Sequence, residues 1–261
     1  MSEQQTSSFA GAEKAYEDYL ATTRGYIREQ VTRHNLLPFI DRNVRTAIDV
    51  GGGSGGDAFW LAGHGVSVDL FDTSSEMLRA ANMDRAGLPS EIADRVQIFE
   101  GNERTAFDPD TRYDLTVSHG VLQYQNDPEM HVLGLRLLTK EGGLLSILTK
   151  GYEGMIVAGR ERLVDDASRN LTYRGVLFEN ALGKRSRAYR SEELCSLLFA
   201  AGFDILQWSG VRVVHDNDTG SVANTNAAVL VDMVRDEIEA SNDPERRESG
   251  QMLHVIARKR P

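Results

Sequence analysis

Asp49-Val50-Gly51-Gly52-Gly53-Ser54-Gly55 follows directly on the apolar run 45–50 (RTAIDV), and the fold is read from this junction. A short β-branched and apolar run ending in glycines is a strand delivering the chain into a tight loop. Glycines let the backbone turn through positive φ and let a ligand approach with no Cβ in the way. The residues that follow, 57–64, have helical composition, so the unit is strand, glycine loop, helix.

Outward from that unit the rhythm repeats. Strands are expected at 66–71 (VSVDLF), 96–100, 113–118 (YDLTVS) and 144–149 (LLSILT), with helices at 74–86 and 129–139 between them. Ser74 or Ser75 caps the first of these helices, with Glu76 in its first turn. Strands alternating with helices build a parallel sheet covered on both faces. The rhythm breaks after Lys150. Residues 151–190 read as an inserted, substrate-facing segment with a basic end, Lys184-Arg185-Ser186-Arg187-Ala188-Tyr189-Arg190. A helix at 191–201 capped by Ser191, a strand at 203–207, a helix at 222–240 and a last strand at 252–259 (MLHVIARK) complete the chain. A hairpin-like return makes that last strand antiparallel. The expected fold is α/β: a doubly wound, seven-stranded, mostly parallel sheet with its last strand antiparallel. Residues 9–40 form a helical cap before the first strand, and 1–8 a disordered tail.

The loop also carries chemistry. The free N–H groups at a helix start hold a pyrophosphate in dinucleotide enzymes. Here Asp49 stands two residues before Gly51 and would repel one. An acid there suits the ammonium of the methionine moiety of S-adenosylmethionine (SAM). Asp72 closes the second strand, where an acid takes both ribose hydroxyls. Gly51, Gly52, Gly53, Asp49 and Asp72 are therefore the candidate cofactor residues. Asn102, Glu103 and Arg104 follow the third strand, beside the expected adenine, and His119 follows the fourth, facing cofactor or acceptor.

Composition narrows the function classes. Hydrophobic residues make up 41% of the 261, ordinary for a globular domain. The net charge of −10 argues against broad nonspecific nucleic-acid binding. The single cysteine, Cys195, permits no intrachain disulfide and reads as a small buried hydrophobe. No apolar run approaches the ~20 residues that span a membrane. The six histidines are scattered without metal-ligand spacing, so no metal is expected. These features together suit a cytoplasmic protein.

The stretches DVGGGSG, FDTS, SHGVLQY and EGGLLSIL resemble the SAM-dependent class I methyltransferases, whose fold is Rossmann-like. A narrower likeness runs through 21–28 (ATTRGYIR), 210–216 (GVRVVHD) and 254–259 (HVIARK), which resemble the bacterial tRNA 5-carboxymethoxyuridine methyltransferases. That resemblance implies methyl esterification of a carboxylate on the tRNA wobble uridine. It also implies that Arg28 grips the cofactor's carboxylate and that Gly51 and Gly52 line its methionine end. Asp72 and Thr73 hold the ribose, Glu103 and Arg104 flank the adenine, and His119 lies against the cofactor.

A carboxylate acceptor is already ionised at neutral pH and needs no general base. It needs a cation to orient it, and Arg212 or a basic residue of 151–190 is the expected anchor. Lys184, Arg185, Arg187 and Arg190, with Tyr189 among them, are candidates for phosphate contacts and base stacking. The alternative is an O- or N-methyltransferase of a small metabolite, where His119 or His215 would serve as base.

Overall fold

The computed structural model describes residues 13–106, 108, 110–157, 176–179 and 185–261. The expected tail and much of the 151–190 segment, including Lys184, lie outside the described residues.

Two helices open the described chain: α1 (Glu13–Leu20) and α2 (Thr23–Leu36). The expected helical cap divides into two helices because Thr22 turns extended and its hydroxyl caps α2, accepting from Gly25 N–H at 3.2 Å. Thr22 also bridges to Ser221, which ties the break to a distant loop.

The parallel core follows as β1 (Thr46–Val50), α3 (Gly56–Gly63), β2 (Ser67–Asp72), α4 (Ser75–Ala86), α5 (Ser90–Ala93), β3 (Val96–Glu100), β4 (Tyr113–His119), α6 (Pro128–Leu138) and β5 (Thr139–Gly151). Ser74 caps α4 and Asp127 caps α6, each accepting from an N–H three residues on. The rest comprises α7 (Tyr152–Val157), β6 (Val176–Glu179), β7 (Arg185–Tyr189), α8 (Ser191–Ala200), β8 (Phe203–Val211), α9 (Ala227–Asn242) and β9 (Met252–Lys259).

The strand order is β3-β2-β1-β4-β5, continued by β9 and then β8, with β9 antiparallel to both neighbours. These are the seven expected strands in a mostly parallel sheet. Two more were not expected. β6 and β7 form a hairpin, and β7 pairs in parallel with β5 at Lys150 and Gly151, making nine strands among the described residues. β5 is 13 residues long and pairs with β4 only as far as Leu148, and the hairpin docks on the stretch beyond, at Lys150 and Gly151. The sequence signal failed because β7 reads as a basic tract; Ser186, Ala188 and Tyr189 point inward and are buried.

Period-two alternation divides the core between the two faces of the sheet. Ile48 and Val50 pack with α6 and α8 on one face, while Ala47, Leu115 and Val117 pack with α3 and α4 on the other. A third cluster, Ile27, Val31, Leu148, Val211, Met233 and Met252, seats α2 and α9 on β5, β8 and β9. Burying each such leucine or isoleucine contributes ~1.5–3 kcal/mol. Cys195 packs against the first cluster, and burial pushes its thiol up to about 11, so it behaves as a small apolar side chain.

Candidate active site

The tips of β1, β2, β4 and β8 converge at the carboxyl edge of the sheet. At β1 the chain turns through Gly51, Gly53 and Gly55, with φ of +74°, +56° and +91°. Gly51 and Gly52 both donate their N–H to the Phe71 carbonyl, tying the loop to β2. A Cβ at Gly51 would overlap the Val121 side chain, and one at Gly52 would sit 2.6 Å from Asp49 Oδ2. Glycine is therefore required by fit at both positions, and at Gly51 by φ as well.

Asp49 is 2% exposed, and its Oδ2 has no hydrogen-bond partner. Burial, with Asp57 and Asp72 nearby, pushes its carboxyl well above the usual range, while Arg28 opposes this. A buried carboxyl with an unmatched oxygen, facing a buried arginine, suits a zwitterion, whose ammonium would favour its ionised form. The ammonium and carboxylate of a methionine moiety match it in sign and order, so these residues fit SAM. Asp72 holds the loop and its own turn together: Oδ2 accepts from Gly53 N–H at 2.9 Å and Oδ1 from Ser74 N–H at 2.8 Å. Thr73 beside it is exposed.

Arg28 reaches the site from α2. It is 6% exposed, and Nη1 donates to the Tyr16 hydroxyl at 3.2 Å. Its Nη2 lies 3.6 Å from where a Cβ on Gly120 would stand, at the tip of β4.

His119 is placed otherwise than expected. It sits under the loop, 8% exposed, with both ring nitrogens engaged: Nδ1 is 2.8 Å from Asp57 Oδ2 and Nε2 is 2.8 Å from Ser146 Oγ. Asp57 also accepts from Arg33 Nε at 3.3 Å, and Ser146 Oγ lies 2.8 Å from His254 Nε2. Burial opposes ionisation of Asp57, but His119, Arg33 and Arg28 hold its carboxyl well below the usual range. Burial, then the facing His119, pushes His254 well below the ordinary imidazole value. Sequence reasoning missed Asp57, Arg33, Ser146 and His254. Only Asp57 left a signal, as an acid in the first turn after the glycine loop.

The β3 loop also departs from expectation. Glu103 turns inward, 6% exposed, with Oε2 at 3.3 Å from His131 Nδ1, so it braces α6 rather than offering an edge to a base. Arg104 is the exposed member, its side chain 62% accessible.

Arg212 follows β8 at φ +60°, the one non-glycine residue with positive φ among the described residues. It is 4% exposed and pairs with Asp216 through Nε, at 2.7 Å, and Nη2, while Nη1 donates to the Tyr19 hydroxyl at 3.0 Å. The expected open anchor is thus already in a buried ion pair, and an acceptor carboxylate there would share it with Asp216. His215 lies 3.8 Å from Asp236. In the described part of the basic tract, three side chains are committed. Tyr189 is fully buried in the core and cannot stack on a base, Arg187 donates to the Gln125 carbonyl, and Arg190 pairs with Glu153 and Glu193.

A family model described as a methyltransferase domain matches residues 19–208, which include the glycine loop, Asp72 and His119. The chain belongs to this methyltransferase family. The methyltransferase resembles the tRNA 5-carboxymethoxyuridine methyltransferase of Escherichia coli K12, with 26% identity over 216 residues covering 78% of each chain. In fold it resembles the glycopeptide N-methyltransferase MtfA complexed with SAM, with a TM-score of 0.57, 17% identity, and 90% of this chain and 94% of that one covered. It also resembles a SAM-dependent methyltransferase from Mesorhizobium loti, with a TM-score of 0.57, 20% identity, and coverage of 87% and 98%. Among the described residues no helix of this methyltransferase is long and apolar enough to cross a membrane.

Proposed function

We propose that this SAM-dependent methyltransferase esterifies the carboxylate of 5-carboxymethoxyuridine at the wobble position of tRNA, a cytoplasmic reaction. When bound, SAM supplies a methyl group already activated on a sulfonium. The carboxylate oxygen forms the new bond to that methyl, the carbon–sulfur bond breaks, and its electron pair stays on sulfur. No proton moves. What the chain supplies is position, dryness and charge.

In this reading Asp49 takes the cofactor's ammonium, Arg28 its carboxylate, and Asp72 with Thr73 the ribose. Gly51, Gly52 and Gly53 let the methionine end lie close to the backbone. Arg104 stands at the adenine side. Arg24, with its guanidinium carbon 5.5 Å from the centre of the Tyr19 ring, supplies positive charge for the ionised acceptor, and Arg212 adds what its pairing with Asp216 leaves.

The observation that carries the reading is the state of His119. Both its ring nitrogens are engaged by Asp57 and Ser146, so His119 has no free lone pair to serve as a base. A hydroxyl or protonated amine acceptor needs a base, whereas a carboxylate does not. Likeness to the E. coli tRNA enzyme over most of both chains supports the same acceptor.

A second reading, methylation of a small-molecule metabolite at oxygen or nitrogen, is favoured by the basic tract. Its tyrosine is buried and Arg190 is spent on internal acids, which leaves less for a phosphate backbone. Mass spectrometry of tRNA nucleosides from cells with and without the gene separates the two. The proposal expects the wobble methyl ester to vanish with the gene. An unchanged nucleoside profile refutes it.

A further inference from the structure

Helix α1 contributes two tyrosines three residues apart, and each hydroxyl accepts from a different buried arginine. Tyr16 accepts from Arg28 and Tyr19 from Arg212, while the two rings lie 6.0 Å apart between centres. Residues i and i+3 share a helix face, so one short helix spans both arginines. The Tyr19 end is firmly founded. Arg212 is ion-paired to Asp216, and its turn is caged by Glu237, which accepts from the N–H groups of Val213, Val214 and His215 at 2.8, 2.8 and 2.6 Å. Glu237 itself is fully buried.

The Tyr16 end meets a side chain with two edges. One edge of Arg28 is taken by the phenol, and the other lies against Gly120, across the β4 tip from the glycine loop. A guanidinium is a planar fork, so fixing one edge aims the other.

We propose that Tyr16 is a cofactor-positioning residue: its hydroxyl aims the second edge of Arg28 at the methionine carboxylate, and Tyr19 pins the helix that carries it. This rests on the reading of Arg28 as the partner of that carboxylate. It assigns to α1 a part in cofactor affinity that neither the glycine motif nor the ribose acid supplies.

The test compares two ligands by calorimetry on the full chain. S-adenosylhomocysteine carries the methionine carboxylate, and 5′-methylthioadenosine lacks it. Tyr16→Phe is expected to weaken S-adenosylhomocysteine about tenfold, the loss of one hydrogen bond to a charged group, and to leave methylthioadenosine unchanged. Tyr19→Phe should produce a smaller loss with the same selectivity, and the double variant should bind no more weakly than Tyr16→Phe alone. Equal loss of both ligands would mean a merely structural role and overturns the proposal, as does wild-type affinity in Tyr16→Phe. An unaltered Tyr19→Phe overturns the pinning. A double variant appreciably weaker than Tyr16→Phe would also overturn it. If the folded wild type shows no heat with either ligand, the cofactor reading itself falls and takes this inference with it. Arg28→Lys separates the remaining case: selective loss in Tyr16→Phe with none in Arg28→Lys would show that the phenol acts without the arginine, against the proposal.

Discussion

His119 Nδ1 lies 2.8 Å from Asp57 Oδ2, and this one contact joins the tip of β4 to the first turn of α3, just after the glycine loop. Behind it Ser146 and His254 continue the line across β5 and β9. These groups are buried polar atoms, which are favourable only while each keeps its partner. The line therefore holds the tips of the sheet in register under the site.

The first prediction concerns this line and pH. His254 has its pKa pushed down in the folded state, so the unfolded chain binds the extra proton more readily. The sign follows: its contribution to stability is complete above the ordinary imidazole value near 6.5 and is lost as pH falls below it. Urea unfolding at a series of pH values should show this decline, and His254→Asn should flatten it. Ser146→Ala strands both neighbouring rings and should cost about 1–3 kcal/mol at neutral pH. An identical decline in His254→Asn would assign the pH dependence elsewhere.

Asp49 supports a second prediction with the opposite sense. Its carboxyl is pushed up, so the folded protein without cofactor holds this proton more tightly than the unfolded chain. Stability from it is present at low pH and lost as pH rises through the raised value. In the proposed reading the ammonium of the cofactor binds the ionised form, so affinity should weaken as pH falls through that same value, with a proton released on binding. Calorimetry in two buffers of different ionisation enthalpy reads that proton. Asp49→Asn should abolish the release, weaken S-adenosylhomocysteine by about 10- to 100-fold, and raise the unfolding free energy. Unchanged affinity in Asp49→Asn would remove the acid from the site.

Two glycines with nearly equal φ offer a third test. Gly51 at +74° and Gly142 at +73° pay the same backbone penalty for a side chain, about 1–2 kcal/mol. Their surroundings differ: a Cβ at Gly51 would overlap Val121, whereas one at Gly142 meets nothing within 4 Å. Gly142→Ala should lose that stability and keep cofactor binding. Gly51→Ala should lose binding as well, measured at a temperature where both remain folded. Equal binding in the two variants would show that close approach at Gly51 is not needed.

These tests also mark how far the sequence could be read. The loop, Asp49, Asp72 and the antiparallel β9 were legible because each depends on local pattern: glycines after a strand, an acid at a strand tip, alternation in a final strand. The partners of His119 and Glu103 were not, because Ser146, His254 and His131 come from other strands and helices and leave no spacing to read. The hydroxyl partners of Tyr16 and Tyr19 lie 12 and 193 residues away, beyond the reach of any local pattern. The strand within the basic tract was hidden for a related reason. Local charge marked the tract, whereas pairing with the end of β5 buries Ser186, Ala188 and Tyr189.

The last prediction isolates the turn that seats Arg212. A non-glycine residue at φ +60° is strained by about 1–2 kcal/mol and persists only where its surroundings hold it. Here the holding group is the Glu237 carboxylate, fully buried and accepting three consecutive backbone N–H groups. Glu237→Gln replaces one acceptor oxygen by a donor that faces an N–H and removes the charge the cage is built around. The expected cost is about 2–4 kcal/mol, read from the urea midpoint at constant slope. Arg212→Gly relieves the backbone strain but leaves Asp216 buried without its cation, so it should destabilise as well, despite the better φ. If Arg212→Gly were instead more stable than wild type, the Asp216 pair would contribute less than the strain, and the turn would be held by Glu237 alone.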